Sequence, residues 1–199
     1  MKMTYIKSAP HRVSVKGYKG NDCTINAIGN TLGISYDLAR KLLQTGNFED
    51  GKFSFRMKSP RTKNEFAERD NVKNILRAIS TDYCVYISDK EIQKKIQNKK
   101  RITSDLKKTG GRSVNKFAES NPKGTFILLT FGHLTAVIDG VLVDTWNCGD
   151  YAVEVAYRIS APKARKVIKG LASFYRMDSE EHFVKNHKKT LLSKPMQAS

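Results

Sequence analysis

The chain is short of the residues that build secreted or metal-stapled proteins. It has three cysteines, Cys23, Cys84 and Cys148, an odd number with no close spacing. Such a set favours neither a disulfide framework nor a structural zinc site. A reducing compartment is the expectation, and there a thiol is free to do chemistry. No apolar run approaches the ~18 residues of a membrane span. The opening MKMTYIKSAPHR lacks the apolar core of a secretory signal, so no export is expected. Walker-loop, zinc-finger and aromatic RNA-binding signatures are also missing, as are repeats and low-complexity segments.

Acidic residues are scarce as well. Nineteen Asp and Glu face 36 Lys and Arg, for a formal net charge of +17 over 199 residues. The basic residues spread over Lys52–Lys73, Lys90–Lys116 and Arg158–Lys194 rather than forming one block. A surface of this kind favours acidic partners, and weak binding of nucleic acid without sequence preference is the corresponding expectation. A solvated lysine-rich surface is the plainer alternative. The length fits one domain with a real core, over residues 1–176, followed by a basic, loosely held tail at 177–199. The sequence leaves the oligomeric state open.

Taken in order, residues 1–20 read as an irregular or strand-like lead-in punctuated by Gly17 and Gly20. Asn21 or Asp22 then caps a helix whose stripe is Ile25, Ala27, Ile28 and Leu32 and whose stop is Gly33. A second helix runs from a Ser35 cap to Gly46. Residues 47–62 read as a long exposed loop or short hairpin. Thr62 with Glu65 forms a capping-box pattern for a helix ending near Ile79. Asp82–Ile87 reads as a strand, with Cys84 as a buried apolar filler. A charged helix over Ser88–Lys100, a short one over Ser113–Glu119, a strand over Tyr151–Ile159 and a basic helix over Pro162–Tyr175 follow.

The organising stretch is Thr125–Cys148. Asp139-Gly140 between apolar, β-branched runs is a strong two-residue hairpin signal. That turn sets Val137 against Leu142, Ala136 against Val143 and Thr135 against Asp144. His133, Thr135, Val137, Leu142, Asp144 and Trp146 then share a face, so Asp144 reaches His133, while Asn147 falls on the other side. A histidine oriented by an acid is half of a nucleophilic triad. Cys23, in the first turn of a helix, is the thiol whose thiolate the helix N-terminus stabilises. Cys148 is a rival thiol, but it follows the hairpin instead of opening a helix. Trp146, opposite His133, either shields the His–Asp pair or is simply core.

The phrases GNDC…AI…LG, SYDLARKLL, SVNKFAESNPKGTFILLTFGH and TAVIDGVLVDTW resemble small papain-like cysteine peptidase proteins common in bacteriophage genomes. The likeness covers roughly Gly17 to Gly149. It implies an α+β papain-like fold, a helical half ahead of a small antiparallel sheet, with Cys23 as nucleophile, His133 as base and Asp144 as orienter. GNDC before a helix is more distantly similar to the active-site loop of ovarian-tumour-type deubiquitinases, although their Asp-Gly-Asn-Cys order is not met. Papain relatives often carry a glutamine a few residues before the cysteine for the oxyanion. Gly17 and Tyr18 stand there instead, so the Cys23 N–H and the Asn21 side chain become the expected oxyanion donors.

The expected activity is therefore a cysteine peptidase acting on a protein or peptide, with no metal and no organic cofactor. The expected location is the host cytoplasm, or the virion if phage-encoded. Two other readings compete. One is a non-catalytic basic phage or virion protein that binds nucleic acid or an acidic partner. The other is an acyl transferase using the same three residues.

Overall fold

A computed structural model describes residues 5–7, 23–49, 52–55, 69–86, 112–130 and 132–176. Asn21, Thr62 and Glu65, the Ser88–Lys100 helix and the tail at 177–199 lie outside the described residues, and those expectations stay with the sequence. The chain is α+β. Its strands are β1 (Tyr5–Lys7), β2 (Gly46–Glu49), β3 (Lys52–Phe55), β4 (Ser80–Val85), β5 (Thr125–Thr130), β6 (His133–Ile138), β7 (Val141–Asp144) and β8 (Val153–Ile159). Its helices are α1 (Cys23–Leu32), α2 (Tyr36–Thr45), α3 (Arg69–Ile79), α4 (Val114–Ser120) and α5 (Ala161–Phe174).

Six strands form one sheet in the order β1-β7-β6-β5-β8-β4, and β2 pairs with β3 apart from it. The sheet is larger than the small antiparallel one expected, and it is mixed. Every pairing from β7 to β4 is antiparallel, but β1 lies parallel to β7, with Lys7 opposite Asp144. Three residues with two exposed side chains carry too little periodicity to announce that edge strand. The strand expected near 82–87 is β4, ahead of the hairpin, and α5 follows the last strand.

The central strand β5 shows why the sheet has two covered faces. Its run TFILLT is apolar on both sides of the pleat, as strands buried on both faces are. Ile127 joins a core built from α1, α2, α3 and α5, whereas Phe126 and Leu128 join a second core with Val114, Phe117 and Ala118 of α4. Truncating Ile127 or Leu128, each fully buried, to alanine should cost about 2–5 kcal/mol.

Helix α1 is buried from Ile25 to Leu32 and ends at Gly33, whose φ of 67° suits a left-handed cap. Ser35 caps α2 by accepting the Leu38 N–H at 3.2 Å, a contact worth about 1 kcal/mol. The basic helix expected near 162–175 is α5, capped by Ser160 with Pro162 in its first turn. No described helix is long and apolar enough to cross a membrane. Cys84 corrects an expectation: it is exposed, not a core filler. Strand β4 is at the sheet's edge, and five of its six residues are exposed.

Candidate active site

The hairpin turn is the expected one. Asp139 and Gly140 both take positive φ, 48° and 74°, as a two-residue type I′ turn requires. The Asp139 carboxylate also accepts the Gly124 N–H at 3.0 Å, which ties the turn to the start of β5. From this turn the register runs Ile138 with Val141, Val137 with Leu142 and Ala136 with Val143. Continued one step, it sets Asp144, at the end of β7, against Thr135 and diagonal to His133, at the start of β6.

There His133 Nε2 and Asp144 Oδ2 are 2.7 Å apart, and both residues are buried. The second carboxylate oxygen is also engaged: Oδ1 accepts the Thr145 N–H at 2.6 Å and the Thr145 hydroxyl at 3.3 Å. Burial alone would push the Asp144 carboxyl up. The hydrogen bond from His133 and that from the Thr145 N–H outweigh it and hold the group below its ordinary value. The acid is thus ionised and fixed in direction.

Cys23 is the first residue of α1 and half-buried, and α1 packs on β6. Burial would raise its pKa. Hydrogen bonding to His133 and to the backbone of Leu134, with the imidazolium charge, reverses the shift and lowers it. Because Asp144 occupies Nε2, Nδ1 is the ring nitrogen left for the thiolate. His133 shows the counterpart. Burial pushes it down, but hydrogen bonds with Asp144, Cys148 and Cys23 raise it to about 11. The two shifts, a lowered thiol and a raised imidazole, are those a thiolate–imidazolium pair produces.

Trp146 lies against the imidazole, with ring centroids 4.9 Å apart and an interplanar angle of 53°, while remaining 41% exposed. Tyr151 meets the indole edge to face at 5.1 Å. The tryptophan is a wall of the site and not core. Asn147 is exposed, and its Oδ1 accepts the Gly149 N–H at 3.0 Å.

Sequence reasoning undervalued one residue. Cys148 is fully buried, and its Sγ is 3.5 Å from the Asp144 Oδ2 that His133 also holds. The loop that brings it back is tight: Tyr151 N donates to Cys148 O at 2.9 Å, and Asn115 N donates to Gly149 O at 2.9 Å. The Asn147-Cys148-Gly149-Asp150 composition signals a turn, but no strand register extends into it, so its return to the pair was not readable. Tyr5, brought in by β1, donates from its hydroxyl to the Asp144 carbonyl at 3.4 Å. No protein-family model, curated protein or solved structure matches this chain.

Proposed function

We propose that the protein is a cysteine peptidase of papain-like architecture, hydrolysing a peptide bond through Cys23, His133 and Asp144. The observation that carries this reading is the buried 2.7 Å His133–Asp144 hydrogen bond on a strand, β6, against which the helix opened by Cys23 packs. A helix presenting its first residue to the end of an antiparallel sheet is also how a papain-like domain divides its nucleophile from its base.

The chemistry follows from the positions. The Cys23 thiolate attacks the substrate carbonyl carbon, and the carbonyl π electrons move to oxygen. As the tetrahedral adduct collapses, the C–N bond breaks and the imidazolium gives its Nδ1 proton to the departing amine. Neutral His133 then takes a proton from water, whose oxygen attacks the thioester, and the thiolate leaves. Asp144 stays ionised throughout and holds the ring. Replacing the water by an acceptor amine would turn the same acyl-enzyme into a transferase, so the first half-reaction is common to both readings.

The experiment is cleavage of a mixed peptide library by the wild type and by Cys23→Ala. Cleavage by the wild type that is lost in the variant is the expected result. Cleavage that survives Cys23→Ala would overturn the assignment.

A further inference from the structure

Three donors converge where β6 begins and β7 ends. His133 offers a ring nitrogen, Asp144 a carboxylate oxygen and Cys148 a sulfur, all within 4.8 Å of one another and all buried. The peptidase chemistry requires only two of these groups. From this geometry we propose that His133 Nε2, Asp144 Oδ2 and Cys148 Sγ form a site for a borderline-soft divalent cation such as Zn²⁺, and that occupancy switches the thiol site off.

The donor set suits that class of ion. Imidazole, thiolate and carboxylate together favour zinc or cobalt over magnesium or calcium, which take oxygen ligands. Bond lengths of about 2.0–2.3 Å place tetrahedral zinc ligands about 3.4 Å apart for nitrogen with oxygen and about 3.6 Å for oxygen with sulfur. The Sγ–Oδ2 separation is already 3.5 Å. The Nε2–Oδ2 pair, at 2.7 Å, must open by about 0.7 Å, a side-chain adjustment. On binding, the Nε2 proton and the Cys148 thiol proton leave to solvent, and the ion takes both lone pairs.

The consequence for the thiol site comes from imidazole chemistry and rests on the peptidase reading above. A metal-bound neutral imidazole carries its remaining proton on Nδ1. That nitrogen has no lone pair to accept a proton from Cys23 or water, so His133 no longer serves as base. Asp144, drawn to the cation, no longer orients it.

The test uses Co²⁺ as a spectroscopic probe on the full chain with Cys23→Ala, so that Cys23 supplies no sulfur. One Co²⁺ per chain with a thiolate-to-cobalt charge-transfer band is expected. The band should persist when Cys84→Ser is added and vanish when Cys148→Ser is added, the serine keeping the volume of the thiol. A band that survives Cys148→Ser, or Co²⁺ binding with no band, would overturn the site. Independently, Zn²⁺ should inhibit peptide cleavage by the wild type, a chelator should restore it, and Cys148→Ser should be at least about tenfold less sensitive. Equal inhibition of Cys148→Ser would place the ion on Cys23 instead and overturn the proposal. The cobalt spectrum reads out whether or not a peptide substrate is ever cleaved.

Discussion

His133 and Asp144 meet at 2.7 Å because a two-residue turn at Asp139-Gly140 fixes the pairing of two strands. The carboxylate is at once the imidazole's orienter and the counter-charge of its protonated form. Asp144→Asn keeps the shape but not the charge, and it permits the amide to present a donor to Nε2, which favours the wrong tautomer. In the serine-protease template that change costs about 10⁴ in turnover. A thiol site should lose less, roughly 10- to 100-fold in kcat/KM, since its ion pair is formed before substrate binds. Asn147→Ala, at an exposed turn position, should leave kcat/KM within about twofold. The comparison is made on any peptide the wild type cleaves. Loss of activity in Asn147→Ala with none in Asp144→Asn would assign the orienting role to the wrong residue.

The turn itself is the next place to test. Gly140 has φ of 74°, and a Cβ there would approach Pro122 Cα to 3.1 Å and Ala118 O to 3.3 Å. Gly140→Ala should therefore destabilise the fold by about 1–3 kcal/mol. Below the shifted melting transition, the folded fraction should retain its thiol reactivity, because the strand register survives a strained turn. Denaturant unfolding measures the first effect and Cys23 alkylation per folded molecule the second. An unchanged unfolding midpoint would contradict the strain argument.

The sequence carried the site further than it carried the fold. Asp139-Gly140 is a local signal, and side-chain alternation extends it outward, so the meeting of His133 with Asp144 followed from counting. Helix α1 was legible for the same reason: an apolar stripe with a glycine stop places Cys23 in the first turn. What was not legible depends on partners distant in the chain. Strand β1 is recognisable only through its pairing with β7. Cys84 sits in an apolar-looking strand, and only its place at the sheet edge makes it exposed. Cys148 follows the last paired residue, where alternation no longer predicts direction.

The pH dependence has a definite sign. Against the desolvation that would lower it, His133 is raised to about 11 by its hydrogen bonds with Asp144, Cys148 and Cys23. A raised group stabilises the fold fully below its unfolded value of about 6.5, and that contribution disappears as pH climbs through about 11. Cys23 is depressed, so its contribution is present above the ordinary thiol range and is lost as pH falls through the lowered value. The thiolate–imidazolium pair thus spans a window that opens below the ordinary thiol value of about 8.5 and closes on the alkaline side near 11. The acid limb of the kcat/KM profile should lie below about pH 8.5. An acid limb centred on that value would contradict the ion pair. In Asp144→Asn the alkaline limb should move to lower pH.

The three thiols provide a test that needs no substrate. Two factors govern alkylation, access and thiolate population, and here they point in opposite directions. Cys84 is exposed, Cys23 is half-buried and Cys148 is buried. Access alone ranks Cys84 first. The imidazole and the Leu134 N–H, however, lower the Cys23 pKa, and each unit of lowering multiplies the thiolate fraction about tenfold at pH values below it. At about pH 6 population should win, so that iodoacetamide labels Cys23 before Cys84 while Cys148 stays unlabelled until denaturant is added. His133→Ala removes the hydrogen bond and the charge together, and it should slow Cys23 labelling at least tenfold while leaving Cys84 unchanged. Mass spectrometry of the three cysteine peptides against time reads all of this. Faster labelling of Cys84 than Cys23 at about pH 6, or a Cys23 rate indifferent to His133→Ala, would show that the imidazole does not activate this thiol.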